Sequence, residues 1–135
     1  MIALLTGGAG VVGKALCREL IARGVCVRVL TLPGDSLAKS LPSEVDVRYG
    51  DVTDLDSIRD AFENVDVVYH LAAILLSTKR GAFEHVNTWG TRNVLEACKL
   101  AGVRRFLYVS SISVTYPVLT PYGESKKKGE ALVQA

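Results

Sequence analysis

Residues 2–13 read Ile2-Ala3-Leu4-Leu5-Thr6-Gly7-Gly8-Ala9-Gly10-Val11-Val12-Gly13, an apolar run that meets a glycine-rich turn. The apolar run predicts a short buried strand, and the residues after the turn predict a helix. Gly7, Gly10 and Gly13 let the backbone bend and let an anion approach it with no Cβ in the way. A helix start adds free N–H groups and the positive end of its dipole, so the corner between strand and helix suits a phosphate. The same stretch, Gly8–Lys14, fits the first seven positions of a P-loop. The eighth position needs a hydroxyl for magnesium, and Ala15 stands there. Lys14 then reads as a helix-surface lysine.

Beyond this corner, strand-like and helix-like segments alternate. Strands are expected at Ile2–Thr6, Val25–Thr31, Val45–Tyr49, Val65–His70 and Arg104–Ser110. Helices are expected at Val11–Arg23, from Thr53 or Asp54 to Phe62, at Gly81–Ala101 and at Tyr122–Gln134, with a helical turn within Ser36–Leu41. In the first helix Val12, Leu16, Leu20 and Ile21 would share the buried side; in the third, Val86, Gly90, Val94, Ala97 and Ala101. The alternation predicts one α/β domain over residues 1–135, a Rossmann-like doubly wound parallel sheet in the order 3-2-1-4-5. Ligands of such sheets sit at the carboxyl ends of the strands, where the order reverses.

Composition narrows the classes. With 135 residues and a net charge of +2, the chain can bury a core and has no electrostatic case for nucleic acid. Lys126-Lys127-Lys128 is its basic run, read at Lys127 and Lys128 as a solvated helix face. Three cysteines, Cys17, Cys26 and Cys98, form no C-x-x-C pair and suit a reducing, cytoplasmic setting. His70 and His85 stand apart from other ligand types, so no metal site is expected. His70 reads as a core residue. No apolar stretch is long enough to span a bilayer, and the N-terminus lacks the basic lead of a signal peptide.

Two strand ends and one helix start carry chemistry. Asp51, behind Gly50, reads equally as an acceptor for an adenine amino group and as a turn or capping residue. His70-Leu71-Ala72-Ala73 ends a strand in small residues that allow close ligand approach. Tyr122-Gly123-Glu124-Ser125-Lys126 places a phenol and an ammonium one helical turn apart. A free phenol, with a pKa of about 10, is a poor proton carrier at neutral pH; a nearby ammonium stabilises the phenolate. Such a phenol can exchange a proton with a carbonyl or hydroxyl oxygen, and Ser111 could bond the same oxygen.

In these motifs the chain resembles the extended short-chain dehydrogenase/reductases, above all the NAD(P)-dependent epimerase/dehydratase group with its 3β-hydroxysteroid dehydrogenase relatives. The resemblance rests on Thr6–Gly13, Gly50-Asp51-Val52-Thr53-Asp54, His70–Ala73, Val86–Val94, Tyr108-Val109-Ser110-Ser111 and Tyr122–Lys126. It implies that Gly7, Gly10 and Gly13, with Val11 and Val12, hold the pyrophosphate of NAD or NADP. Asp51 and Val52 would meet the adenine, and Leu71, Ala72 and Ala73 would line the groove. Asn87 would stand near the nicotinamide end. Ser111 would bind the substrate oxygen, Tyr122 would be the acid/base, and Lys126 would bind the nicotinamide ribose and tune Tyr122. The implied reaction is hydride transfer at a secondary alcohol or ketone of a small substrate. A non-enzymatic dinucleotide-binding sensor or scaffold is the rival.

Three departures from the family pattern stand out. Thr31 and Leu32 occupy the end of the second strand, where NAD-preferring members carry an acid; Asp35, a few residues on, is the acid that could reach the ribose. With no basic residue at that strand end or in the glycine turn, NAD is favoured over NADP, and Arg28 within the strand should face away. Only ten residues separate Ser111 from Tyr122. The chain also ends at Ala135, before the C-terminal substrate region usual in the family, so Ala131-Leu132-Val133 should leave apolar surface exposed, a motive for homodimer formation.

Overall fold

The computed structural model describes residues 1–135. Five strands, β1 (Ile2–Thr6), β2 (Cys26–Thr31), β3 (Asp46–Tyr49), β4 (Val67–His70) and β5 (Arg105–Tyr108), form one parallel sheet in the order β3-β2-β1-β4-β5. The predicted topology is therefore the observed one. The helices are α1 (Val11–Ala22), α2 (Leu55–Ile58), α3 (Gly90–Ala101) and α4 (Pro121–Gln134), with 3-10 turns at Ser36–Ser40, Arg59–Phe62 and Ile112–Thr115. No helix is long and apolar enough to cross a membrane.

β1 is central because its side chains serve both faces. Ala3 and Leu5 point into one core with Cys17, Leu20 and Val29; Leu4 points into the other with Phe62, Val68 and Val94. All four residues Ala3–Thr6 are buried, the signature of a strand covered on both sides. Arg28, on β2, faces away from the strand's carboxyl end as expected. Its guanidinium donates to the carbonyls of Ala61 and Glu63 at 2.7 and 2.8 Å and pairs with Asp46, so its charge is fully engaged in the core wall.

Several boundaries and faces differ from expectation. β4 starts at Val67 rather than Val65, and the strands β2, β3 and β5 are likewise trimmed to the ladder. α1 buries Gly13, Cys17 and Leu20, whereas Val12 is 64% exposed. The cause is Gly13: a Cβ there would lie 2.5 Å from the Cα of Gly8, so the helix packs on its glycine face. The helix expected from Thr53 or Asp54 is one α-turn followed by a 3-10 turn, and neither Thr53 nor Asp54 caps it through a side chain. The helix expected at Gly81–Ala101 is a π-turn, Glu84–Trp89, that runs into α3. The wider turn shifts the register and turns Asn87, Thr88 and Thr91 inward together, while Ala101 is exposed. On α4, Ala131 is exposed but Leu132 and Val133 are half-buried, so less apolar surface is free than predicted.

Candidate functional site

A cleft of about 550 Å³ opens at the carboxyl ends of the central strands, where the strand order reverses. Its floor is the glycine corner. Gly7 has φ +67°, and a Cβ on it would lie 2.9 Å from the backbone of Ala72, so both conformation and packing require glycine. Gly10 differs. It has φ −75°, and the one atom near an added Cβ would be the Gly7 carbonyl oxygen at 3.6 Å. The fold itself does not demand glycine at position 10, and the absent Cβ leaves the main chain there open to the cleft. Lys14 N donates to the Gly10 carbonyl, so the N–H groups of Val11, Val12 and Gly13 precede the first helical bond and have no partner inside α1. This is the donor set that a diphosphate needs.

Of the residues expected around a dinucleotide, Gly7, Gly10, Thr31, Asp51, Val52, Leu71, Ala72 and Ala73 line the cleft. Gly13 is buried in the corner, and Val11 and Val12 stand exposed at the start of α1. Asp51 makes the expected local turn and also stands on the cleft. One carboxylate oxygen accepts from the Thr53 N–H and hydroxyl at 2.9 and 2.7 Å, a local turn, yet the residue remains on the cleft wall. Asp35 also reaches the wall. Its carboxylate accepts from the Thr31 hydroxyl at 2.5 Å and the Leu37 N–H at 2.9 Å, and these bonds hold it below the usual carboxylate range. Lys14, expected to be a bystander, is half-buried, and its charge acts on Asp35. Ile74, His85 and Val86 line the far end; Val86 was expected on the buried side of its helix and within a family motif, whereas Ile74 and His85 carried no signal toward the cleft.

Asn87 joins the cleft to the helix that carries the phenol. Its carbonyl oxygen accepts from Ile74 N and its amide donates to Ile74 O, at 2.9 and 3.1 Å; the amide also donates to the Ser125 hydroxyl at 3.1 Å. Behind it lies a buried relay. The Thr91 hydroxyl donates to the Asn87 main-chain carbonyl at 2.7 Å, not to the side-chain oxygen, which leaves it to accept from His70 Nε2 at 2.9 Å. His70 Nδ1 then accepts from the Thr6 hydroxyl at 2.6 Å. Burial, with the Lys126 charge adding to it, pushes the His70 pKa down to about 3, so the ring is neutral and structural, as predicted.

α4 starts on Thr120, whose hydroxyl accepts from the Gly123 N–H, with Pro121 at the first helical position. Tyr122 is half-buried with its ring edge-on to Phe83, centroids 6.2 Å apart. Lys126 is buried and one turn on, but its ammonium donates to the Val109 carbonyl at 2.7 Å and lies 4.4 Å from the Tyr108 ring centre. Burial brings its pKa down to about 8, opposed by the charge of Glu130. Ser111 caps the turn Ile112–Thr115, and its hydroxyl pairs with that of Ser113 at 2.8 Å, a partner not anticipated. That turn packs on the first turn of α4, with Ser113 O 3.2 Å from where a Cβ of Gly123 would be. Ser111, Tyr122 and Lys126 are thus gathered around the β5–α4 junction and do not line the cleft itself.

Known proteins resemble this chain in sequence and in backbone fold. Residues 4–130 match the 3-beta hydroxysteroid dehydrogenase/isomerase family. The chain is 39% identical over 121 residues to a 3 beta-hydroxysteroid dehydrogenase/Delta 5-->4-isomerase of Mycobacterium tuberculosis, covering 82% of this chain and 32% of that protein. It is 36% identical over 129 residues to sterol demethylase protein B of Methylococcus capsulatus, covering 94% of this chain and 39% of that one. A short-chain dehydrogenase/reductase superfamily protein of Agrobacterium tumefaciens, crystallised with bound NAD, superposes with a TM-score of 0.85 at 32% identity, over 99% of this chain and 44% of that structure. The chain therefore spans under half the length of these relatives. Sequence and backbone agree on one assignment: the chain belongs to the 3-beta hydroxysteroid dehydrogenase/isomerase family, within the short-chain dehydrogenase/reductases.

Proposed function

We propose that this chain is the dinucleotide-binding and proton-transfer part of an NAD(P)-dependent oxidoreductase or epimerase that acts on a secondary alcohol or ketone of a small substrate. The observation that carries the reading is Gly10, a glycine that the fold does not require, placed on the floor of a cleft at the sheet's switch point. The bound nicotinamide would supply the hydride chemistry. The protein supplies position, charge and a proton.

In this reading the N–H groups of Val11, Val12 and Gly13 bind the pyrophosphate. Val52 and Asp51 border the adenine, and Leu71, Ala72 and Ala73 face the groove. Asp35 accepts from the adenosine ribose hydroxyls, and its negative charge opposes a 2′-phosphate, so NAD is preferred to NADP. Asn87 fixes Ile74 at the nicotinamide end. Tyr122 gives a proton to the substrate oxygen in reduction and takes it in oxidation, and Ser111 hydrogen-bonds the same oxygen. Lys126 places positive charge one helical turn from the phenol, the sign that stabilises negative charge developing there.

The test is Tyr122→Phe in the full-length protein. Loss of a positioned acid/base lowers kcat by roughly 10²- to 10⁴-fold, while dinucleotide affinity, measured by calorimetry, changes little. Unchanged turnover would remove Tyr122 from the mechanism.

A further inference from the structure

Around Lys126 lies a second set of contacts that the roles above do not use. Lys126 and Glu130 are one turn apart on α4 and engage consecutive residues of the same strand end. The ammonium takes the Val109 carbonyl at 2.7 Å, and the Glu130 carboxylate accepts from the Ser110 hydroxyl at 2.5 Å. One residue earlier, the Tyr108 hydroxyl donates to the Lys126 carbonyl at 3.2 Å, and Gly129 lies so close under that hydroxyl that no Cβ would fit. Residues 108, 109 and 110 are therefore all gripped by α4, and the next residue is Ser111.

The geometry points to Glu130 as a positioning residue: through Ser110 it locks the exit of β5 onto α4, and that bond fixes a carboxylate one helical turn from the buried Lys126. The inference rests on the reading that Ser111, Tyr122 and Lys126 act together. Lys126 is 3% exposed, and a buried ammonium without a counter-charge drifts towards the neutral amine. The groups that face it are few. From β5 comes the Tyr108 ring, which burial keeps protonated; from β4 comes His70, which is neutral. From α4 itself come Tyr122 and Glu130, and Glu130 is the carboxylate whose charge acts on it. A carboxylate tethered by Ser110 stays where that charge is felt, whereas an untethered one would swing into solvent.

Two consequences separate this role from mere helix–strand packing. Removing the charge of Glu130 should lower the titration midpoint of Lys126, and releasing its tether should lower it less. The experiment is an NMR titration of the intact protein carrying ¹³Cε-lysine, with the Lys126 signal assigned by its loss in Lys126→Met. In Glu130→Gln the Lys126 midpoint falls by about 0.5–1 unit, a roughly three- to tenfold rise in its acid dissociation constant, a nearby opposite charge being worth about a unit or more. Glu130→Asp restores part of the shift. Ser110→Ala gives a smaller fall in the same direction, and it serves as the primary test if Glu130→Gln does not fold. A folded variant that loses stability yet leaves the Lys126 midpoint in place would reduce Glu130 to packing and overturn the inference. The titration needs no turnover, so its result stands apart from that of Tyr122→Phe.

Discussion

Replacing Gly10 by aspartate should move stability and cofactor binding in opposite directions. Gly10 is the N-cap of α1, with φ −75°, ψ 179° and no side chain to cap the exposed N–H groups. An aspartate fits this backbone, and its nearest new neighbour is a carbonyl oxygen 3.6 Å from the Cβ. Aspartate is a better N-cap than glycine by a few tenths of a kcal/mol, and a negative charge at a helix start adds about 0.3–1 kcal/mol. The variant should therefore be as stable as the parent or up to ~1 kcal/mol more stable. The same carboxylate would occupy the place of the diphosphate. At an effective dielectric constant of about 20, two unit charges roughly 5 Å apart repel by about 3 kcal/mol. That corresponds to a loss of about 10²-fold in affinity for each phosphate charge that is met. Urea unfolding followed by circular dichroism reads the first effect, and calorimetric titration with NAD or NADH reads the second. Gly13→Ala is the converse control, because its Cβ would lie 2.5–2.6 Å from the Gly8 backbone. Overpacking of this kind costs about 1–3 kcal/mol. If Gly10→Asp loses more than ~1 kcal/mol of stability, or keeps its dinucleotide affinity, the assignment of Gly10 to the ligand rather than to the fold is refuted.

Asp35→Ser should relax coenzyme choice: NADP affinity rises by about tenfold relative to NAD, as expected when one carboxylate no longer repels a 2′-phosphate, and an unchanged ratio of dissociation constants would remove Asp35 from the ribose site. His70 should make stability depend on pH. Its folded pKa lies at about 3 against an unfolded value of about 6.5, so the unfolded chain binds the proton first and stability falls as pH drops through that window, by ~1.4 kcal/mol per unit at most. Between pH 7 and 5 the unfolding free energy should fall by up to ~2 kcal/mol, and His70→Gln should flatten the slope; a parent protein equally stable at both values would show that the ring protonates in place.

The strand order and the glycine corner were legible because they rest on strong local signals. Ile2–Thr6 and Val67–His70 are apolar runs bounded by turns, and Gly7 has the positive φ that the turn demands. On α1, Leu16, Leu20 and Ile21 were legible as core-facing, but Gly13 and Cys17 were not, since they carry little hydrophobic weight and close backbone approach places Gly13 inward. Nor does any residue pattern announce the π-turn that swings Asn87, Thr88 and Thr91 to one side. At the site, the motif Tyr122–Lys126 was visible, but the bond of the Lys126 ammonium to Val109 O depends on how α4 meets the end of β5. Ile74, His85 and Val86 reach the cleft only because the segment after β4 folds back over it. Glu130 offered one clue, its place four residues beyond Lys126, and that spacing acquires meaning only once Ser110 is seen beneath it.

β1 is flanked by β2 and β4 and sealed on both faces, and the glycine corner hangs directly from its last residue. Amide hydrogens of Leu4 and Leu5 should accordingly exchange with solvent only through global opening, the slowest class in the molecule. The coenzyme would be moored to the segment that fluctuates least. Its pyrophosphate anchorage should persist on heating until the whole domain melts, while the peripheral β5–α4 corner should loosen earlier.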